Sequence, residues 1–237
     1  MLDLDSIKSK AELLQKARWL EGKTLSEVDR KIKGSDRVPP VHSKGNVGYV
    51  VEHGFFGITK NSINEPDIKR LGVEIKTCPL KYTTKRTKLA VKEPLSLNII
   101  NYNKKVHCKT ILDSSLYKKN KCILFIAYIQ DPEESRSRYK IKYVFLWKMD
   151  KRVISELEPD YDIIIKKIRA GKAHKIHQSD NAHLTLCPKH GSRGKTTTQP
   201  CSKTPAEIRA FRLKSSYMNR IFGRALHKEV GTGGWKA

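Results

Sequence analysis

The sequence predicts an α/β protein, and three observations carry that expectation. From Leu71 to Leu80, apolar Leu71, Val73 and Ile75 alternate with Gly72, Glu74 and Lys76, the period-two signature of a strand with one buried face. From Lys121 to Gln130 the chain is almost continuously apolar, as in a strand covered on both faces. Between such runs lie segments of helical period with recognisable starts and stops. At 237 residues the chain can bury one substantial core, and a single domain over 1–237 is expected.

Taken in order, Ser9-Lys-Ala-Glu12 is a capping-box signature, followed by Ala11, Leu14, Ala17 and Leu20 at helical spacing until Gly22. A second helical piece runs from Leu25 to Ile32, completing an N-terminal helical part over 1–43 that ends in a Gly-, Pro- and Ser-rich loop from Gly34 to Gly45. Lys44 to Gly57 reads as a helix through Val47, Val51 and Phe55. Glu52 lies one turn from Gly48, and Lys44 stands before the helix N-terminus, where backbone N–H groups favour a phosphate. After the strand at 71–80, Lys81 to Lys92 is a basic loop with interspersed threonines, suited to phosphate contacts. Strands are expected over Leu95–Asn101, 121–130 and Tyr139–Met149, and a helix over Pro159–Ala170 stopped by Gly171. A short strand, His183–Leu186, leads into a polar loop from Cys187 to Cys201 that carries Lys189, Arg193 and Lys195 among glycines, an arrangement suited to reading guanine edges. Thr204-Pro-Ala-Glu207 repeats the capping-box pattern ahead of a basic segment with Lys214 and Tyr217, and 230–237 reads as a flexible tail.

Composition narrows the partner. Forty-eight Lys and Arg against 24 Asp and Glu give a net charge of +24, with an isoelectric point of about 9.9. A field of that sign calls for a polyanion. Nucleic acid leads, ahead of a ribosome-associated role or an anionic membrane surface. No run of about 18 apolar residues exists and the N-terminus lacks a basic region followed by an apolar core, so no membrane partner and a cytoplasmic location are expected. Five widely spaced cysteines read as free thiols. His183, Cys187, His190 and Cys201 lack a second tight pair, so a binding-loop role is preferred to a zinc site.

The chemistry concentrates at Asp67, Glu74 and Lys76. Glu74 and Lys76 lie two residues apart on one strand face, roughly 6.5 to 7 Å along it, and Pro66 turns the chain so that Asp67 reaches the same spot. Two carboxylates supply hard oxygen ligands for Mg²⁺, and a lysine can orient or deprotonate a water and stabilise developing charge, which together suit phosphodiester hydrolysis.

Gly45-Asn-Val-Gly-x-x-x-Glu52, Glu65-Pro-Asp67 and Leu71-Gly-Val-Glu74-Ile-Lys76-Thr resemble the core of the MutH and Sau-type, GATC-cutting endonuclease family. Ser96 to Tyr102, Leu184 to Lys189 and Arg209 to Met218 resemble it too, closer to the Sau-type restriction enzymes. The resemblance covers about 44–220 and implies the restriction-endonuclease-like PD-(D/E)xK fold, a mixed central sheet flanked by helices. It implies Asp67 and Glu74, with Ile75, as metal contacts, Lys76 as the catalytic lysine and Glu52 as an additional catalytic carboxylate. By the same resemblance Lys119, Lys189, Lys214 and Tyr217 become DNA-binding residues, beside Lys44 and Arg193, which are read as DNA-binding from their own basic, glycine-containing surroundings. Cys187 departs from the pattern, because MutH carries an arginine there. The implied activity is a Mg²⁺-dependent type II restriction endonuclease cutting GATC to leave 5′-phosphate ends. A strand-nicking mismatch-repair enzyme and a silent DNA-binding module are the alternatives. Sau-type enzymes are about twice this length with a second related domain, so a homodimer on DNA or sequential nicking is expected of a chain with one copy.

Overall fold

The computed structural model describes residues 2–32, 46–59, 64–83, 86–105, 110–189, 194–227, 230–231 and 234–236. Its helices are α1 (Lys10–Ala17), α2 (Leu25–Ile32), α3 (Asn46–Tyr49, widening into a π turn over Val50–Phe55), α4 (Tyr102–Lys105), α5 (Ser115–Asn120), α6 (Lys151–Arg169) and α7 (Ser215–Ala225). Its strands are β1 (Glu74–Thr83), β2 (Lys88–Val91), β3 (Leu95–Ile99), β4 (Cys122–Ile129), β5 (Ile141–Lys148), β6 (Leu184–Pro188), β7 (Thr196–Gln199), β8 (Ser202–Glu207), β9 (Arg209–Leu213), β10 (Val230–Gly231) and β11 (Gly234–Lys236).

These elements form two compact units, where a single domain was expected. One comprises Met1–Glu93, Cys122–Lys148 and Asn219–Ala237, the other Pro94–Lys121 and Met149–Met218. The first holds a mixed six-stranded sheet in the order β10-β11-β2-β1-β4-β5, with β1 parallel to β4 and the other pairs antiparallel. On one face, Leu13, Ala17 and Leu20 from the N-terminal helix and turn, Leu25 and Val28 from α2, and Val51 and Phe55 from the π turn pack on Ile75, Leu124 and Ile126. On the other face, Phe125, Phe145, Trp147 and Phe222 form an aromatic cluster. Strand β4 is therefore buried on both faces, as its continuous apolar run demands. In the second unit, β3, β9 and β6 form an antiparallel sheet, and β7 and β8 a separate hairpin.

The capping-box signature is half formed: the Glu12 N–H donates to Ser9 Oγ at 3.1 Å, while Glu12 Oε2 accepts at 2.8 Å from the N–H of Lys8, one residue before the cap. Five expectations change. The catalytic strand starts at Glu74, because Lys69–Leu71 wind into a 3-10 turn and Gly72 takes a left-handed conformation (φ 61°) that interrupts the extended run. The basic stretch after it is a hairpin, β1 pairing with β2 from Leu80↔Val91 to Thr83↔Lys88. Helix α6 begins at Lys151, capped by Asp150 accepting the Val153 N–H at 3.0 Å. Pro159 lies inside it on the exposed side, where its missing N–H leaves one solvated carbonyl unpaired. Thr204–Glu207 belongs to β8, and the loop after Cys187 includes β7, because cross-strand pairing outweighs the local cap signal. The C-terminal segment is extended in part, β11 pairing with β2 through Trp235↔Leu89. The loop read at 34–45 lies outside the described residues.

Candidate active site

The turn from Asp67 to Val73 is built to fold a carboxylate back onto the strand that follows it. Ile68 and Val73 exchange backbone hydrogen bonds of 2.9 and 3.2 Å, and the Arg70 guanidinium anchors the turn by donating to the carbonyls of Leu4, at 3.1 Å, and Ile7. With the turn closed, the Ile75 N–H donates to Asp67 Oδ2 at 2.9 Å and the Asp67 N–H donates to Glu74 Oε2 at 3.2 Å. Lys76 Nζ completes the chain by donating to Glu74 Oε1 at 2.7 Å. Asp67, Glu74, Ile75 and Lys76 thus form one bonded group at the start of β1.

Glu74 is almost fully buried, at 1 % exposure, and the Lys76 side chain retains 22 %. A carboxylate so far from water needs a compensating cation, and the ammonium at 2.7 Å supplies it. The Ile75 side chain is fully buried, so this residue can act only through its main chain. In a strand, a residue's N–H and C=O project to the same edge. The Ile75 carbonyl therefore emerges on the edge where its N–H meets Asp67. Two carboxylates and a main-chain carbonyl make a hard-oxygen donor set, which fits a cation such as Mg²⁺ that keeps several waters. Among the described residues no cluster of three or more His, Cys, Asp or Glu offers a fuller set of ligands.

Glu52 approaches the same strand from the helical side. A Cβ placed on Gly48 would lie 3.4 Å from Glu52 Oε1 and 3.6 Å from Thr77 Oγ1, ordinary contact distances that put the Glu52 carboxylate and the Thr77 hydroxyl beside the same glycine. Strand alternation puts Thr77 with Ile75, opposite Glu74 and Lys76. Thr77 was missed by the sequence reading as a neighbour of Glu52. The Gly48/Glu52 spacing of one helical turn was the available signal.

The expected DNA-contacting residues fare differently. Lys44 and Arg193 lie outside the described residues. Lys189 is exposed just beyond β6, its N–H donating to the Ile208 carbonyl at 3.2 Å and extending the ladder with β9. Lys119 is half-buried in the last turn of α5. Tyr217 differs from expectation: it is fully buried, donates its hydroxyl to Glu156 Oε2 at 2.8 Å and stacks on His183 at 4.7 Å, so here it holds the structure together and presents no surface. Lys214 Nζ is likewise engaged, by the Asn181 carbonyl. Cys187 is buried with Sγ 3.8 Å from the Ala210 carbonyl, and burial pushes its thiol above the usual range against the opposing charge of Arg212. Of the residues weighed for zinc, His183 is stacked, Cys187 is buried, Cys201 is exposed and His190 lies outside the described residues.

Comparison with known proteins finds relatives over most of the chain. The family described as DNA mismatch repair enzyme MutH matches residues 56–160, a span holding Asp67, Glu74 and Lys76. The chain is 33% identical over 220 residues to the type II restriction enzyme Sau3AI of Staphylococcus aureus, covering 92% of this chain and 43% of that protein. It is 27% identical over 223 residues to the DNA mismatch repair protein MutH of Haemophilus ducreyi, covering 92% of each, and 26% identical over 221 residues to MutH of Vibrio cholerae, covering 90% and 95%. It therefore spans less than half of the staphylococcal enzyme and nearly all of the two MutH proteins.

Proposed function

Because the chain belongs to the MutH-like, Sau3AI-type endonuclease family, with a restriction-endonuclease-like fold, we propose that it is a site-specific double-stranded DNA endonuclease of the restriction type. The observation that carries this reading is the bonded group of Asp67, Glu74, Ile75 and Lys76 at the start of β1.

In this reading Asp67, Glu74 and the Ile75 carbonyl hold Mg²⁺, which when bound supplies Lewis acidity and offsets charge at the scissile phosphate. Lys76 leaves Glu74 Oε1 to orient the attacking water, accept or relay its proton and stabilise charge building on the phosphate. Asp67, fixed through Oδ2 by the Ile75 N–H, keeps its geometry while Lys76 moves. Glu52, backed by Gly48 and Thr77, adds negative charge beside the site. Lys189 reads the target, GATC, with Lys119 and the wider basic surface contacting phosphates. The products carry 5′-phosphates.

A second reading is favoured by one observation. The chain matches MutH of Haemophilus ducreyi over 92% of both lengths, which supports strand nicking. A cut through both strands needs a second site, which a second copy on DNA would supply. A silent binding module is disfavoured, since two buried or half-buried carboxylates would only repel a bound phosphate.

The purified chain with Mg²⁺ and supercoiled plasmid, prepared with and without adenine methylation, tests this. Cuts mapping to GATC are expected, and the ratio of nicked to linear product separates the two modes. Binding without cleavage on either plasmid would overturn the nuclease reading.

A further inference from the structure

We propose that Asp160 of α6 is a positioning residue for target recognition, acting through β6 on Lys189; this rests on the nuclease reading above. Asp160 is buried, at 4 % exposure, yet carries a carboxylate whose three described partners are all main-chain N–H groups of the segment entering β6. Oδ1 accepts from Ala182 at 2.8 Å, and Oδ2 accepts from His183 at 2.6 Å and Leu184 at 2.8 Å. The Asp160 carbonyl takes the Asn181 side-chain amide at 2.9 Å. The root of β6 is held from the other side as well. Lys214 donates its backbone N–H to the His183 carbonyl at 2.9 Å and its ammonium to the Asn181 carbonyl, while Tyr217 stacks on His183 and ties it to Glu156 of α6.

Such a clasp answers a specific weakness. Among the described residues β6 is an edge strand with one neighbour, β9, in a three-stranded sheet, so one ladder there sets its register. A slip of one residue would send every side chain to the opposite face. With Leu184 held opposite Leu213 and Pro188 opposite Arg209, alternation puts Lys189 on the face of Thr185 and Cys187. A carboxylate accepting three N–H groups at the strand's first residues fixes that register at its root. Lys189, five residues from Leu184, inherits its direction from it.

Asp160→Asn keeps the volume and replaces one acceptor oxygen by a donor facing N–H groups. The test measures cleavage of a GATC duplex against duplexes altered at one base for wild type, D160N, K189A and the double variant, alongside hydrogen exchange at residues 182–189. D160N is expected to lose about tenfold in discrimination, within the range of one base contact, to lose nothing further in the K189A background, and to exchange faster at 185–189. Additive losses, unchanged discrimination or unchanged exchange at 185–189 would overturn the proposal, since a fold weakened in general would move both variants independently. Should D160N not fold, Asp160→Glu, which keeps both acceptors on a longer arm, takes its place under the same criteria. A wild type that cuts no duplex defeats the nuclease reading instead, and the exchange comparison still decides whether Asp160 governs β6.

Discussion

Glu74 and Lys76 are coupled in stability as well as in the proposed chemistry. Lys76→Ala strands a buried carboxylate and should cost about 3 kcal/mol or more, whereas Glu74→Gln leaves a half-exposed lysine that water can serve. The double variant should recover much of the loss, which urea titrations of the three proteins would reveal; equal costs for the two single changes would mean the pair is not coupled. Both single variants should lose about 10²- to 10³-fold in cleavage rate while binding DNA in Ca²⁺. The thiols give a second prediction. Burial raises the Cys78 and Cys187 thiols above the usual range, lowering the reactive thiolate fraction at pH 8, and Cys201 is exposed. Among the described cysteines, alkylation of the native protein followed by peptide mapping should mark Cys201 first. The acidic pair and the lysine were legible because seven and two residues of chain join them in one turn and one strand. The burial of Tyr217 was not, because His183 and Glu156, far away in sequence, create it.

Helix α6 offers two tests of opposite sign at the scale of an element. Gly171 ends it at φ 67°, and a Cβ there would stand 2.4 Å from the Cys201 carbonyl oxygen, so Gly171→Ala should destabilise by about 1 to 3 kcal/mol. Pro159→Ala should stabilise, by up to about 3 kcal/mol, by restoring an N–H to an exposed helix interior. Thermal unfolding of the two variants checks both signs. The same helix shows how far elements could be read. Its glycine stop depends only on local conformation and was legible, whereas its start was misplaced at the proline, a local cue that eight preceding helical residues and the Asp150 cap override. The hairpin after the catalytic strand and the β8–β9 run were hidden because basic and cap-like residues gave the local signal, whereas pairing of β2 with β1, β8 with β7 and β9 with β6 decides the conformation.

For the whole molecule, the net charge of +24 predicts binding dominated by counterion release. About six phosphate contacts would give a slope near −5 in a plot of log affinity against log salt, and a slope near −1 from salt titrations of duplex binding would contradict a phosphate-tracking surface. Charge and strand patterning made the α/β class and the polyanion partner readable, but the division into two units was not, since each is assembled from segments distant in sequence. The sheet of the first unit has a further consequence. Among the described residues, β1 pairs with β2 over Leu80 to Thr83 alone, so the half of β1 carrying Glu74 and Lys76 has β4 on one side and no strand on the other. An edge of that kind invites a second chain to add a strand. Asp67, seated on the Ile75 N–H, closes it with a charged group. Asp67→Ala should therefore be harder to keep soluble than Glu74→Gln, with light scattering rising earlier on warming, so that one carboxylate guards the protein's colloidal behaviour as well as its chemistry.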